Sequence, residues 1–301
     1  MKRIPTVWND AYHCPQASDL LSTRKQKVVV EAARAEALLE EIPDSAFDAA
    51  ATWDAIAKVH VSYYVDAVRT GNPLDLAQSQ GFGWSPEFAE ATVRIWSGHV
   101  AACRLAMARS LAFHPASGAH HAREKSGSGF CTFNYLVGAG KQLLDEKVIE
   151  RVLVLDLDTH QGNGTFELSA SDDRFSLFDV GGASFGVSPR EKGRVFIRLV
   201  KNEKEYFDAL KKLPAFLDAH RPSLIQYQAG MDCHESDPLG GVKGMNAKRL
   251  AERDGFVFAL AKARGIPIVF NLAGGYQEDG TTVRLHVETV RVAAKVFSPS
   301  P

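Results

Sequence analysis

The sequence predicts an α/β protein built on one doubly wound, mainly parallel sheet with helices on both faces. From residue 113 onward, strand-length apolar runs, polar loops and helical segments alternate in a steady order, which is the pattern of parallel strands joined by crossover helices. The run VLVL at 152–155 is continuously apolar, as a strand covered on both faces requires. With 301 residues, 45% of them hydrophobic and 24% charged, the chain is long enough for a single core of this size. No repeat, low-complexity tract or long Pro/Gly/Ser linker divides it, so residues 1–301 are expected to form one domain.

Helical spacing of Ala, Leu, Val and Glu covers 25–41, with Pro43 just past its end, and a second helical pattern runs over 52–68, closed by Gly71 and Pro73. Ser85 followed by Pro86 makes an N-cap and first-turn pair, opening a long Ala-rich helix to about residue 110. Phe113 leads into a long Gly- and Ser-rich loop, and loops of that length inside a compact fold commonly carry function. A helix is expected over 133–146. After the 152–155 strand come strands over 174–179 and 194–200, a helix over 203–219 and a strand over 224–228. A helix over 246–264, a strand over 266–272 and a last helix to about residue 296 complete the reading.

Thirty-five basic against 36 acidic residues leave a net charge of −1, so bulk electrostatics predict neither nucleic-acid nor membrane binding. Cys14, Cys103, Cys131 and Cys233 are widely spaced and form no CxxC pair, which disfavours a disulfide framework or a thiolate zinc site. The N-terminus has no apolar signal core and no stretch reaches transmembrane length. A soluble, cytoplasmic protein is expected, with its oligomeric state left open.

Chemistry concentrates where the 152–155 strand runs out. Asp156, Asp158 and His160 stand at alternate positions and can project to one side of the strand end, with Gly162 and Gly164 releasing the backbone beyond them. Ligands of open α/β sheets collect outside the carboxyl ends of the strands. Asp158 and His160 offer an oxygen and a nitrogen donor suited to a borderline cation such as zinc, although the same residues would serve as helix caps or turn formers. Asp232 follows the 224–228 strand in the same way and would add a third ligand. Two carboxylates and one imidazole leave an open position on a tetrahedral ion. If successive strands are parallel, Asp158, His160, Asp232 and Tyr276 converge at one edge.

Five segments together are similar to the histone deacetylase superfamily: HHA at 120–122, GFCTFN at 129–134, DLDTHQGNGT at 156–165, AGMDCHESDPLGG at 229–241 and AGGY at 273–276. They occur in the family's order, over about residues 63–290. HQGNG, in place of the commoner HHGDG, and SLFDV at 176–180 resemble the class IV branch and its bacterial relatives. The resemblance implies the arginase/deacetylase fold, one zinc per chain held by Asp158, His160 and Asp232, paired catalytic histidines at His120 and His121, and a carbonyl-polarising tyrosine at Tyr276. It also implies an inner monovalent-cation site, usually potassium, at Asp156 with backbone oxygens around Asp158, His160, Ser176 and Leu177. Phe130 resembles an aromatic wall of an acyl-lysine channel, with Gly129, Gly274 and Gly275 lining it.

Departures from the family pattern carry expectations of their own. Asn163 stands where many relatives have an Asp behind the second histidine, so His121 is expected to be the less basic ring, while His120 keeps Asp156, a partner that favours its charged form. Gln161 is expected to be structural, His234 to lie beyond the metal, and Asp237 to orient its loop. Arg24 is the candidate for the family's buried arginine, and Phe178, where many relatives have a His, is expected to alter the pocket rim.

The function implied is a zinc-dependent amidohydrolase. Its substrate would be an acylated protein lysine, an acylated polyamine or another acylated small amine, with acyl length set by whether the pocket below the zinc is blocked. The alternatives are an acyl-group sensor on the same fold and an arginase-like binuclear manganese ureohydrolase. Gly162 and His234 stand where the second of these needs carboxylates.

Overall fold

The computed structural model describes residues 2–14, 21–278 and 280–299, the side chains of 21–23 excepted. In chain order the elements are β1 (Ile4–Val7), a 3-10 turn (Asp10–Tyr12), α1 (Leu21–Ala35), β2 (Leu39–Ile42), α2 (Ala49–Ile56), α3 (Ser62–Thr70), α4 (Leu74–Ala77), α5 (Pro86–Arg109), β3 (Leu111–His114), α6 (Tyr135–Asp145) and β4 (Val152–Asp156). There follow α7 (Asn163–Ser169), β5 (Phe175–Gly181), β6 (Arg190–Lys192), β7 (Val195–Leu199), α8 (Glu203–Leu210), α9 (Leu213–His220), β8 (Leu224–Ala229), α10 (Ala247–Arg264), β9 (Ile268–Leu272) and α11 (Thr281–Phe297).

The strands form one nine-stranded sheet in the order β2-β1-β3-β9-β8-β4-β5-β7-β6, parallel throughout except for the edge pair β6–β7. This is the predicted doubly wound architecture. Successive residues of β4 enter opposite cores: Leu153 and Leu155 join the core shared with α1 and α8 to α11, and Val152 and Val154 join the core shared with α2, α3, α5 and α6. That two-sided burial is why the run carries no polar alternation.

Several predicted helices are shorter than their apolar periodicity. The 25–41 helix stops at Ala35, Ala37 turns with φ of 54°, and Leu39–Ile42 pairs with β1 as an edge strand. Neither β1 nor β2 was apparent from local pattern, because each is four residues long and has meaning only beside the other. The 52–68 pattern breaks between α2 and α3, where the buried His60 ring donates its Nδ1–H to the Arg123 carbonyl and accepts the Asn134 N–H at Nε2. The 203–219 pattern breaks before Pro214, which sits in the first turn of α9, where a missing N–H costs nothing.

All strands but β6 point their carboxyl ends to one edge, among them β3, β9, β8, β4 and β5. The segments carrying His120, Tyr276, Asp232, Asp158 and Asp179 leave from there.

Candidate active site

Two strand ends and their turns build the ligand set. Beyond β4 the chain turns so that Asp158 Oδ1 lies 3.2 Å from His160 Nδ1, and beyond β8 Asp232 Oδ2 lies 3.0 Å from the same nitrogen. One donor atom from each of the three side chains falls within 4.8 Å of the others, a spacing suited to a metal ion. His160 Nε2 donates to the Leu239 carbonyl at 2.9 Å, leaving Nδ1 as the inward atom. Backbone donors hold the remaining carboxylate oxygens: Thr159 N to Asp232 Oδ1 at 2.9 Å, and Gly274 N to Asp158 Oδ2 at 2.6 Å. Gly274 must be glycine, since a Cβ there would stand 1.8 Å from Asp232 Oδ2.

Burial opposes charge on each of these groups, and their mutual attraction decides the outcome. His120 and His160 hold Asp158 well below the usual carboxylate range against its burial. Burial works against a charged His160, but the two carboxylates raise it to about 11. Burial and the neighbouring Asp158 push Asp232 up to about 7. Two carboxylates around one imidazole are a negatively charged set of two oxygens and a nitrogen, the donor chemistry that a divalent cation satisfies.

His120 and His121 face this cluster with ring centroids 4.0 Å apart. His120 Nδ1 lies 2.8 Å from Asp156 Oδ2 and its Nε2 is 3.9 Å from Asp158 Oδ1. His121 Nδ1 lies 2.7 Å from Asn163 Oδ1, and the amide oxygen can only accept, so Nδ1 carries the proton and Nε2 its lone pair. Asp156 is the partner expected for His120, and burial opposes the charged form of the ring. Burial lowers His120 to about 4, while burial and the Asp158 charge raise Asp156 well above its ordinary value. Burial and His120 take His121 lower still, to about 3, which preserves the expected order of the two rings.

Tyr276 is half-buried, its backbone N–H held by Asp237 Oδ2 at 2.9 Å, and burial with the Asp232 and Asp158 charges keeps its phenol protonated. Phe130, at φ of 64°, stacks on Phe82 at 5.3 Å and approaches the Tyr276 ring at 5.9 Å. A cavity of about 70 Å³ runs between these rings, past His120, Asp158 and Gly274, to Tyr12 and Trp96 beneath the site. Gly129 and Gly274 line it. Gly275 does not: with φ of 139°, it packs against Thr282 and Met231 instead.

Other expectations divide. Asp237 caps its own loop, and His234 pairs with Gln277 outside the ligand set. Cys131 and Cys233 are buried thiols whose pKa burial raises. Gln161 accepts the Phe185 N–H and positions that loop. Arg24 is surface-exposed. The buried cation is its neighbour Lys25, whose Nζ donates to the Ala273 carbonyl beside the site; burial lowers it to about 8 against the pull of Asp232 and Asp158. Phe178 is not at the rim but in the core, stacked on Phe196.

Ser176 and Leu177 are also misplaced by sequence. The register sets them opposite Leu153 and Val154, while Asp179 is level with Asp156. At about 3.3 Å per residue, Ser176 is roughly 10 Å short of the level of Asp156. Asp179 is buried and accepts the Gly162 N–H with one oxygen, and its other oxygen has no partner among the described residues. Sequence reading also missed Phe185, which stacks on His121 at 4.1 Å and meets His160 edge-on. Its only local signal was one aromatic in a Gly- and Ser-rich loop.

Fold and site together define a hydrolytic enzyme of the deacetylase class. The chain belongs to the histone deacetylase family, whose histone deacetylase domain profile matches residues 20–290. An uncharacterized protein of Picosynechococcus sp. is 30% identical over 225 residues, 73% of this chain and 75% of its own length. Histone deacetylase 2 of Arabidopsis thaliana is 31% identical over 194 residues, 62% of this chain and 49% of its own, so the match spans about half of that relative. A probable deacetylase of Methanothermobacter thermautotrophicus is 28% identical over 254 residues, 75% of this chain and 72% of its own. Among solved structures, an acetylpolyamine aminohydrolase from Burkholderia pseudomallei superposes with a TM-score of 0.80 at 17% identity, covering 98% of both chains, and shares the fold.

Proposed function

We propose that the chain acts as one catalytic unit, a zinc-dependent deacylase that hydrolyses the amide of an acylated primary amine on a slender alkyl stem. The observation that carries this is the meeting of three donors within 4.8 Å beside two imidazoles 4.0 Å apart, with Asp158, His120 and Tyr276 lining one cavity. Asp158, His160 and Asp232 would hold the zinc ion, which when bound supplies Lewis acidity and lowers the pKa of water to about 7. His120 and His121, neutral at pH 7 because both are buried, take the proton from the attacking water and return it to the departing amine. Tyr276 donates its O–H to the oxygen of the scissile carbonyl as negative charge develops there. Phe130 and Phe185 wall the entrance against an alkyl stem, excluding water.

Asp156 and Asp179 would hold the inner potassium ion in place of Ser176 and Leu177; the partnerless Asp179 oxygen supports this fit. The cavity continues beneath the site to Tyr12 and Trp96, so acyl chains longer than acetyl have room. Lysine and polyamine amines both fit the entrance, and the acetylpolyamine aminohydrolase with the same fold supports testing both. Among the described residues no helix is long and apolar enough to cross a membrane.

The test combines metal analysis with hydrolysis of acyl-lysine peptides and acetylpolyamines of graded acyl length. One zinc per chain is expected, with turnover falling about 10²- to 10³-fold in Tyr276→Phe while metal content is unchanged. Paired manganese with urea release, or acyl-ligand binding without turnover, would overturn the proposal.

A further inference from the structure

The ligand carboxylates come from chain segments more than 70 residues apart, and one buried side chain outside the site touches the backbone of both. Arg253, on α10, is fully buried. Its Nη1 donates to the Leu157 carbonyl at 3.1 Å and to the Gly230 carbonyl at 2.7 Å. Leu157 is the residue before Asp158, and Gly230 lies two before Asp232. We infer that Arg253 is a positioning residue that sets the separation of the Asp158 and Asp232 carboxylates, and through it the geometry offered to the metal.

The fork is itself anchored. Arg253 Nε donates to Asp254 Oδ1 at 2.8 Å, and Asp254 accepts from Tyr227 Oη at 2.5 Å and from Thr289 Oγ1 at 2.6 Å, which ties the guanidinium to β8 and α11. The Leu157 carbonyl also takes Tyr206 Oη at 3.3 Å and the thiol of Cys233, the residue after Asp232, at 3.4 Å. Strand separation has no slack here, because a Cβ on Gly230 would lie 2.5 Å from the Asp158 Cα. The Leu157 carbonyl belongs to the peptide plane that enters Asp158, so fixing that oxygen restricts the backbone rotation that aims the carboxylate.

A purely structural role is the competing account, and its energetics are poor. A buried ion pair is often no more stabilising than well-packed apolar groups of the same volume. What a planar, rigid guanidinium offers that an apolar side chain does not is two donors at a fixed angle. Ligand distances must be held to a few tenths of an ångström for tight binding, and loss of the groups that orient ligands typically costs 10- to 100-fold in metal affinity.

The inference rests on the metal-hydrolase reading, and the experiment separates the two. Zinc affinity by chelator competition, the Co²⁺ d–d spectrum, kcat/KM and Tm are measured on the full chain, Arg253→Lys, Thr289→Val and Phe196→Leu. Arg253→Lys keeps the charge but not the fork; at least a 10-fold loss of zinc affinity and a shifted Co²⁺ spectrum are expected. Thr289→Val loosens the anchor of Asp254 without touching the arginine, and should move both readouts the same way by less. Phe196→Leu, a core change away from the site, should lower Tm and leave both alone. Should Arg253→Lys fail to fold, Thr289→Val decides. Variants that lose Tm but keep zinc affinity and an unaltered Co²⁺ spectrum overturn the clamp alone. A wild-type chain that takes up neither ion overturns the metal-hydrolase reading and the clamp with it.

Discussion

Gly274→Ala is the smallest change that should disable the site. The added Cβ would stand 1.8 Å from Asp232 Oδ2, 2.3 Å from its Cγ and 2.8 Å from Asp158 Oδ2. Ordinary contact begins at 3.4 Å, so the Asp232 carboxylate must retreat by the difference from 1.8 Å, about 1.6 Å. It has nowhere to go. Asp232 is fully buried, its other oxygen is held by Thr159 N, and Asp158 Oδ2 accepts from the backbone N–H of Gly274 itself. Overpacking of this kind costs typically ~1–3 kcal/mol, within the ~5–15 kcal/mol by which a domain is stable, so the variant should fold. A misplacement of ~1 Å can cost ~10²-fold in rate, and the metal ligands are displaced by more than that. The expected result is a loss of at least ~10²-fold in kcat/KM together with weakened zinc binding, read by chelator competition and an acyl-lysine assay on protein checked by circular dichroism. A folded Gly274→Ala with wild-type zinc affinity and turnover would refute the reasoning that makes Asp158 and Asp232 the ligands.

Gly255→Ala is the contrasting case: on α10 a Cβ meets only Val292 Cγ1 at 3.7 Å, and removing a helix-interior glycine should stabilise by ~0.5–1 kcal/mol in urea unfolding; a lower midpoint would contradict it. His60 and His99, both buried and lowered from 6.5 to about 4, bind protons more readily when unfolded, so their contribution is complete above about pH 6.5 and lost as pH falls towards 4. At ~1.36 kcal/mol per unit and group, unfolding free energy should drop by ~4 kcal/mol between pH 7 and pH 5, and a flat profile there would disprove it. Asn163→Asp would give His121 a carboxylate partner, raising its pKa and moving the acid limb of the kcat/KM profile to higher pH; an unmoved limb would remove His121 from the proton path.

The sequence by itself determined what depends on local spacing. Asp158 and His160 sit two residues apart after a strand buried on both sides. His120 and His121 are adjacent, whereas the pairing of Asn163 with His121, 42 residues away, came from the family resemblance. The helix cap at Ser85 is likewise read from neighbouring residues. Turn geometry and strand alternation act over a few residues, so such features survive without knowledge of the rest of the chain.

Tertiary structure decided whatever depends on how distant segments meet. Which of Arg24 and Lys25 is buried turns on one residue step, about 100° around a helix, and only the packing of α1 beside β9 and α11 selects it. Whether Ser176 or Asp179 reaches Asp156 is a question of strand register, which no single strand carries. β1 and β2 became strands by pairing with each other, and Phe185 became part of the site because Gln161 holds its loop over His121. Arg253, in the middle of an unremarkable helix, acquired its place only where two strand ends arrive together. Local propensity sets which residues can act; burial and long-range contacts, which cost chain entropy and have no local signature, set which of them do.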